Sequence, residues 1–137
     1  MKRILKLTVC IVLALTFLLA LASCGDDSEK GIWKDATYTE DTELGSGAVT
    51  FTLDVEADNK TVTFTIHTDK TTVGEALLEH NLIAGSNGLY TTVNGMTAVW
   101  EVDNSYWAFY VDGKYDNNGM DATVISTSSV YKLEYTN

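Results

Sequence analysis

The chain has 137 residues, which is enough to build one folded domain around a single hydrophobic core. Its nine basic and 19 acidic residues argue against a nucleic-acid-binding role, because such a surface repels phosphates. The only two cysteines are Cys10 and Cys24, so a disulfide scaffold is excluded for the part of the chain after residue 24.

The N-terminal segment has the features of a secretory signal. Lys2, Arg3 and Lys6 make a positively charged start, and residues 7–22 form an uncharged and mostly apolar run. This run is slightly short for a membrane-spanning helix, which needs about 20 apolar residues. The pattern therefore predicts a signal peptide over residues 1–23.

The end of this segment, Leu21-Ala22-Ser23-Cys24, resembles the bacterial lipobox, in which the cysteine carries lipid after cleavage. Two or three acyl chains make a stable anchor. We expect Cys24 to be lipidated and to hold the protein at the outer face of the bacterial cell membrane. The alternative is an uncleaved transmembrane anchor with an incidental cysteine. Cleavage would leave six basic residues against 19 acidic ones, a net charge of −13, which favours neutral or cationic ligands.

Residues 24–47 combine the lipidated cysteine with a polar, acidic stretch, which predicts a spacer between membrane and domain. Three apolar side chains, Ile32, Trp33 and Tyr38, interrupt the stretch. Part of it is therefore expected to pack on the domain as an extra strand.

From Ala48 onward the sequence is strongly periodic. Residues 49–55 and 62–66 alternate apolar side chains with threonine and predict an antiparallel hairpin. Thr72-Val73-Gly74-Glu75 matches a capping box and predicts the start of a helix. The apolar residues from Val73 to Leu82 would give this helix a buried face, and Gly85 is expected to close it in a left-handed conformation.

The remaining elements are predicted to be strands. Residues 90–93 and 96–102 flank Asn94-Gly95, a dipeptide typical of a tight hairpin turn. The aromatic run 106–111 ends at Asp112-Gly113, another tight-turn signal. Short apolar segments at 124–125 and 130–135 follow. Two strands, one helix and further strands predict an α+β domain over residues 48–137, with a β-grasp-like mixed sheet and one helix packed on one face.

Reactive groups are few. His67 falls on the polar face of a strand and His80 near the helix end, so both are predicted to be structural or exposed, and we expect no enzymatic activity. Residues 116–121 superficially suggest a calcium loop, but the glycine is in the fourth position and no glutamate occupies the twelfth. A polar turn is the better interpretation, and no metal site or required cofactor is predicted.

Aromatic residues cluster in residues 106–115, with Trp100 close by. Alternation places Trp107 and Phe109 on one face of the strand, and Tyr106 and Tyr110 on the other. One set serves the core. The other either stacks on a flat ligand or simply covers the exposed face of the sheet.

The aromatic strand with its glycine turn, Asn118-Gly119-Met120-Asp121 and the last strand (131–135) resemble the DUF4430 domain of bacterial surface lipoproteins. Thr72–Leu77 and Asn94-Gly95 resemble that family's helix start and central turn. The resemblance covers residues 49–136 and departs from the family at residues 126–129, where a Gly-Asp turn is usual. The family is similar to the C-terminal β-domain of the vitamin B12 carriers transcobalamin and intrinsic factor.

This resemblance implies a small-ligand-binding lipoprotein with cobalamin or another corrinoid as the leading candidate ligand. The residues that it places near a corrinoid face are Tyr106, Trp107, Tyr110, Gly113, Gly119 and Met120. The carriers' second, helical domain is missing, so a second protein would have to complete the site, and the ligand could pass to a membrane transporter. The alternative is a surface module that binds protein or glycan and no small molecule.

Overall fold

The computed structural model describes residues 29–137, which form a mixed α+β fold. The strands are β1 (Thr42–Gly45), β2 (Val49–Ala57), β3 (Lys60–Thr68), β4 (Ile83–Ser86), β5 (Leu89–Val93), β6 (Met96–Thr97), β7 (Tyr106–Val111), β8 (Lys114–Tyr115) and β9 (Val130–Thr136). The helices are α1 (Val73–Glu79) and α2 (Trp100–Asp103), with 3₁₀ turns at Gly31–Asp35 and Met120–Ala122. The predicted α+β class with a mixed sheet is confirmed.

The main sheet has six strands in the order β1-β3-β2-β9-β7-β8. The hairpin β2–β3 is antiparallel, β2 and β9 run parallel at the centre, and β7 is antiparallel to β9. Among the four central strands, β3-β2-β9-β7, the first in the chain (β2) and the last (β9) therefore lie side by side. This is the arrangement expected of a β-grasp. A second sheet of three short strands, β4-β5-β6, was not anticipated as a separate layer.

Period-two alternation explains the core. Alternate side chains of β2 and β3, such as Leu53 and Phe64, are fully buried, and the intervening threonines face outward. From α1, Val73, Ala76 and Leu77 join the same apolar cluster, so the helix covers the inner face of the sheet. The predicted hairpin is thus confirmed, and so is the buried helix face except at Leu78, which is 45% exposed.

Helix α1 begins where the capping box predicts. The Thr72 hydroxyl accepts a hydrogen bond from the Glu75 N–H at 3.3 Å, and the Glu75 carboxylate accepts from the Thr72 N–H at 3.2 Å. The bonds from the backbone of Thr72 and Thr71 lower the pKa of the Glu75 carboxyl. The stability that this carboxylate contributes is therefore present above its ordinary pKa of 4.5 and is lost as the pH falls through the lowered value.

We expect Thr72→Ala to lower the free energy of unfolding by about 1 kcal/mol, because it removes the side-chain partner of an otherwise unpaired helix N–H. Urea denaturation followed by circular dichroism measures this loss. Thr71→Ala is the control, since its side chain lies outside the capping box, and it should change stability by less than about 0.5 kcal/mol. Equal effects of the two substitutions would contradict the capping role.

The helix ends earlier than predicted, and Gly85 is not its cap. Asn81 adopts the left-handed conformation, with φ 54°. The Asn81 N–H donates to the Leu78 carbonyl and the Leu82 N–H to the Leu77 carbonyl, which together make a Schellman motif. Asparagine tolerates this conformation, so the helix closes at once. Gly85 instead lies in β4, where an added Cβ would collide with the Leu89 carbonyl.

One strand prediction is wrong in part. Only Met96–Thr97 of the expected strand 96–102 pairs with β5, and Trp100–Asp103 forms α2, so the fold has a second short helix. The apolar alternation of residues 96–102 continues beyond Thr97, but Trp100 and Val102 are 58% and 81% exposed. They do not pack in the hydrophobic core. The apolar pair at 124–125 makes a single bridge, between Thr72 and Val124.

The described part of the predicted spacer is folded. Trp33 is 2% exposed within the core, and its Nε1–H donates to the Ala57 carbonyl at 2.8 Å. Strand β1 pairs parallel with β3. The expectation that part of this segment packs on the domain as an extra strand is confirmed, and the packed domain includes residues before Ala48, Trp33 among them. The physical reason is that the indole ring removes a large apolar area from water.

The predicted signal peptide and Cys24 lie outside the described residues, so both remain predictions. Within residues 29–137, no helix is long and apolar enough to span a membrane.

Candidate ligand-binding cleft

A cleft of about 310 Å³ opens beside β7, between the small sheet and the segment after β8. Three stretches of chain line it: Gly88–Thr91 from the β4–β5 hairpin, residues between Ala98 and Phe109, and residues between Tyr115 and Met120. Its volume is at the lower end of the range of about 300–1,000 Å³ that is typical of small-molecule sites. Most of its large lining side chains are aromatic: Tyr90, Trp100, Tyr106, Trp107, Phe109 and Tyr115.

The cleft has a fixed floor and an open rim. At the floor, Trp107 is 9% exposed and packs edge-on against Tyr135, with 5.6 Å between the ring centroids. At the rim, Trp100 and Tyr106 are largely exposed and meet edge to face at 6.1 Å. Exposed aromatic rings above a packed aromatic floor can stack on a ligand without a large rearrangement of the protein.

Of the six residues that the resemblance places near a ligand, four line this cleft: Tyr106, Trp107, Gly119 and Met120. Tyr110 and Gly113 do not. Tyr110 follows the strand alternation to the outer face of the sheet, where the Lys132 ammonium lies 4.7 Å from its ring centroid. Gly113 occupies the β7–β8 turn with φ 80°, and an added Cβ there would have no neighbour within 4 Å.

Twelve of the 16 lining residues were missing from the predicted set, and the large apolar or aromatic ones among them include Leu89, Tyr90, Trp100 and Tyr115. Trp100 and Tyr115 belong to the aromatic cluster visible in the sequence, so that cluster could have identified them. Asn87-Gly88 is a hairpin signal that could have placed the β4–β5 turn, because both residues have positive φ. No local pattern indicates that this hairpin packs beside β7.

The charges in the cleft have one sign. Glu101 and Asp116 are lining residues, and in the described part of the chain no Lys, Arg or His lines the cleft. Asp116 also orders the following loop, accepting hydrogen bonds from the Thr123 hydroxyl at 3.2 Å and the Asn118 amide at 3.1 Å. The segment expected to be a polar turn is therefore one, held by an aspartate that faces the cleft.

Tyr90 connects the cleft wall to the 3₁₀ turn at Met120–Ala122. Its hydroxyl donates to the Asp121 carboxylate at 2.7 Å. Desolvation, followed by this hydrogen bond and the charge of Asp121, raises the pKa of Tyr90 to about 12. The neutral tyrosine is therefore the form that the fold favours.

We expect one tyrosine to titrate near pH 12 in the folded protein, and Tyr90→Phe to remove that step from an absorbance titration at 295 nm. Because the folded pKa is above the ordinary value of 10, the stabilisation is complete below pH 10 and is lost as the pH rises through about 12. A titration in which Tyr90→Phe removes a step near pH 10 would contradict this assignment.

The indole N–H of Trp107 is unusual for a buried donor. Its Nε1 atom is inaccessible to solvent and has no hydrogen-bond partner within residues 29–137. A buried donor left without a partner costs about 1–3 kcal/mol. Buried polar groups without a partner are few in native proteins, so each one calls for an explanation other than a contribution to stability.

A second hollow, of about 690 Å³, lies beside the N-terminal 3₁₀ turn and is lined by Gly31, Trp33, Thr39, Asp58, Lys60 and their charged neighbours. It is larger, but two of its lining side chains already form an ion pair, with Lys60 Nζ and Glu29 Oε1 at 2.6 Å. The same ammonium lies 4.8 Å from the Trp33 ring centroid. Its polar groups already serve one another, so the aromatic cleft is the better candidate for a ligand site.

Neither histidine lies in the cleft. His67 Nδ1 is 2.8 Å from the Thr50 hydroxyl, and its Nε2 pairs with Glu43 on β1. His80 Nε2 is buried against Gly45, with Glu79 at 3.7 Å. Within the described ranges, no group of three or more His, Cys, Asp or Glu side chains is placed to hold a metal ion.

No family model matches the chain, and no curated protein does either. Among solved structures, the chain is similar to a "putative metal binding protein" from Ruminococcus gnavus, with 26% identity and a TM-score of 0.60 over 65% of this chain and 97% of that one. It is also similar to haptocorrin in complex with Cbi, with 13% identity and a TM-score of 0.52 over 65% of this chain. The match spans only 25% of haptocorrin, and at this identity it shows a shared fold alone.

Proposed function

We propose that this protein is a small-ligand-binding domain and that the aromatic cleft beside β7 is its site. The observation that carries the proposal is the concave aromatic lining, in which Trp100 and Tyr106 form the rim and the packed Trp107 forms the floor. Concave, largely apolar sites with a few polar groups are the usual form of small-molecule sites. A flat interaction module lacks such a wall. The described edge strands, β1, β8, β4 and β6, have four residues or fewer and offer little to an added strand.

A corrinoid is the leading candidate ligand. The fold is shared with haptocorrin, which was solved in complex with Cbi, and four of the six residues that the sequence resemblance places at a corrinoid face line the cleft. A cleft of about 310 Å³ cannot enclose so large a ligand, so it would contact one side only. A second protein would then complete the site, consistent with a lipid-anchored protein that passes its ligand to a transporter.

The test is equilibrium dialysis of the full chain, kept in a non-ionic detergent, against cyanocobalamin and hydroxocobalamin, with tryptophan fluorescence as a second readout. We expect saturable micromolar binding that Trp100→Ala weakens at least tenfold, because truncating an aromatic anchor costs about 2 kcal/mol. Trp100 is 58% exposed, so this substitution leaves the core intact.

A matched pair of leucines provides the control. Leu89→Ala removes an exposed cleft side chain and should weaken binding, whereas Leu78→Ala removes an exposed side chain of α1 and should not. Binding that survives both Trp100→Ala and Leu89→Ala would exclude the cleft as the site. The absence of any binding at about 100 µM would reject a corrinoid site formed by this domain alone.

A further inference from the structure

The charge of the cleft narrows the class of ligand that it can hold. Its wall combines two carboxylates, Glu101 and Asp116, with exposed faces of Trp100 and Tyr106. Neither Lys132 nor Lys114 contributes its charge to the cleft lining. Lys132 Nζ pairs with Glu134 and Glu56 and covers Tyr110 on the outer face, while Lys114 precedes Tyr115 in β8 but does not line the cleft.

Each of these features favours a positive charge. Aromatic faces carry negative electrostatic potential and attract cations, most strongly for Trp. The carboxylates of Glu101 and Asp116 in the same lining add Coulomb attraction, which is stronger beside a low-dielectric wall than in bulk water. The whole chain carries a formal charge of −10, so the long-range field points the same way.

An anionic ligand would be repelled by the two carboxylates of the cleft. Carboxylates and phosphates are bound by Arg, Lys or helix N-termini, and no basic side chain among the described residues lines the cleft. A neutral ligand would gain the stacking on the aromatic rings. It would gain no charge interaction with the exposed Glu101 or with Asp116. The wall is therefore complementary to a ligand that is both apolar and positively charged.

We propose that the cleft selects organic cations, and that a substituted ammonium group packs against Trp100 and Tyr106 with Glu101 and Asp116 as its counter-charges. This inference rests on the proposed function, because it assigns the charge of the ligand that the same cleft takes. It holds for a free ammonium compound and for an ammonium group carried by a larger ligand, since both present the same chemistry to the wall.

The test compares two molecules of the same shape and different charge, choline and the neutral alcohol 3,3-dimethylbutan-1-ol. Binding to the full chain is followed by tryptophan fluorescence and by shifts of the indole N–H signals of Trp100 and Trp107 in NMR spectra. We expect choline to bind about tenfold more tightly than the alcohol, because only choline gains the cation–aromatic and carboxylate interactions.

Variants separate the charge from the shape. Glu101→Gln should reduce choline binding several-fold and leave the alcohol unchanged, and Trp100→Ala should weaken both. Glu40→Gln is the control, because it makes the same chemical change on an exposed residue before β1, at the opposite edge of the main sheet. The double variant Glu101→Gln, Asp116→Asn should abolish the preference for choline.

The outcomes also distinguish this inference from the proposed function. Equal affinity for both probes, or tighter binding of the alcohol, would overturn charge selection and leave a small-ligand cleft in place. Cobalamin binding without choline binding would do the same. Failure of choline, the alcohol and both cobalamins to bind would overturn the inference and the proposed function together.

Discussion

Trp33→Ala should lower the free energy of unfolding by about 3–5 kcal/mol, as expected for removing a large aromatic side chain from a core. Trp33 is 2% exposed, and its Nε1–H donates to the Ala57 carbonyl, so the substitution opens a cavity and leaves an acceptor without its donor. It also removes the ring that Lys60 covers. Urea unfolding followed by circular dichroism measures the loss independently of tryptophan fluorescence.

The chain provides a matched control for this prediction. Trp100→Ala makes the same change at a residue that is 58% exposed, and we expect it to alter stability by less than about 0.5 kcal/mol. A loss below about 1 kcal/mol for Trp33→Ala would show that the segment before Ala48 does not unfold with the rest of the domain, and would contradict its assignment to the core.

Asn94→Ala should be about as damaging, with a loss of about 3–5 kcal/mol. The buried Asn94 side chain accepts a hydrogen bond from the Tyr38 N–H at 2.9 Å and donates to the Tyr38 carbonyl at 2.8 Å. Removing it leaves both backbone groups without partners, at about 1–3 kcal/mol each at most. Asn94 also has φ 50°, which alanine adopts at an additional cost of about 1–2 kcal/mol.

Two further variants separate these contributions in the same unfolding experiment. Asn94→Gly loses the side-chain bonds but tolerates positive φ, so it should be about 1 kcal/mol less damaging than Asn94→Ala. Asn87→Ala changes another asparagine that has positive φ and precedes a glycine, but that is exposed, so only the conformational cost of about 1 kcal/mol is expected. Similar losses for Asn87→Ala and Asn94→Ala would refute the bridging role of the Asn94 side chain.

Much of the local structure follows from the sequence because its cause is local. The alternation in residues 49–66 requires only that one face of a hairpin be buried, and the Thr72–Glu75 capping box requires only residues within one helical turn. Asn94-Gly95 predicts its own tight turn because both residues tolerate positive φ. The wrong predictions, Gly85 as a cap and residues 98–102 as strand, are patterns that two different local structures satisfy equally well.

Only part of the candidate site could be predicted from the sequence, because the cleft joins segments that are far apart in the chain. The aromatic run identified Tyr106 and Trp107, and the family resemblance added Gly119 and Met120, which do line the cleft. Strand alternation already separated Tyr110 from Trp107, and the structure places it on the outer face. Nothing along the chain indicates that Leu89 and Tyr90 approach from the small sheet, because that approach is decided by packing between distant segments.

The sequence by itself thus determined the long strands β2, β3, β7 and β9, the start of the main helix, the Asn94-Gly95 turn and the acidic, aromatic character of the protein. These features depend on periodicity and on residues a few positions apart. Only the tertiary structure decided that Trp33 belongs to the core, that Asn94 holds Tyr38, and that three segments form one cleft. Each of these features joins residues far apart in the chain, and the burial of an apolar or polar side chain depends on which partners the whole fold brings to it.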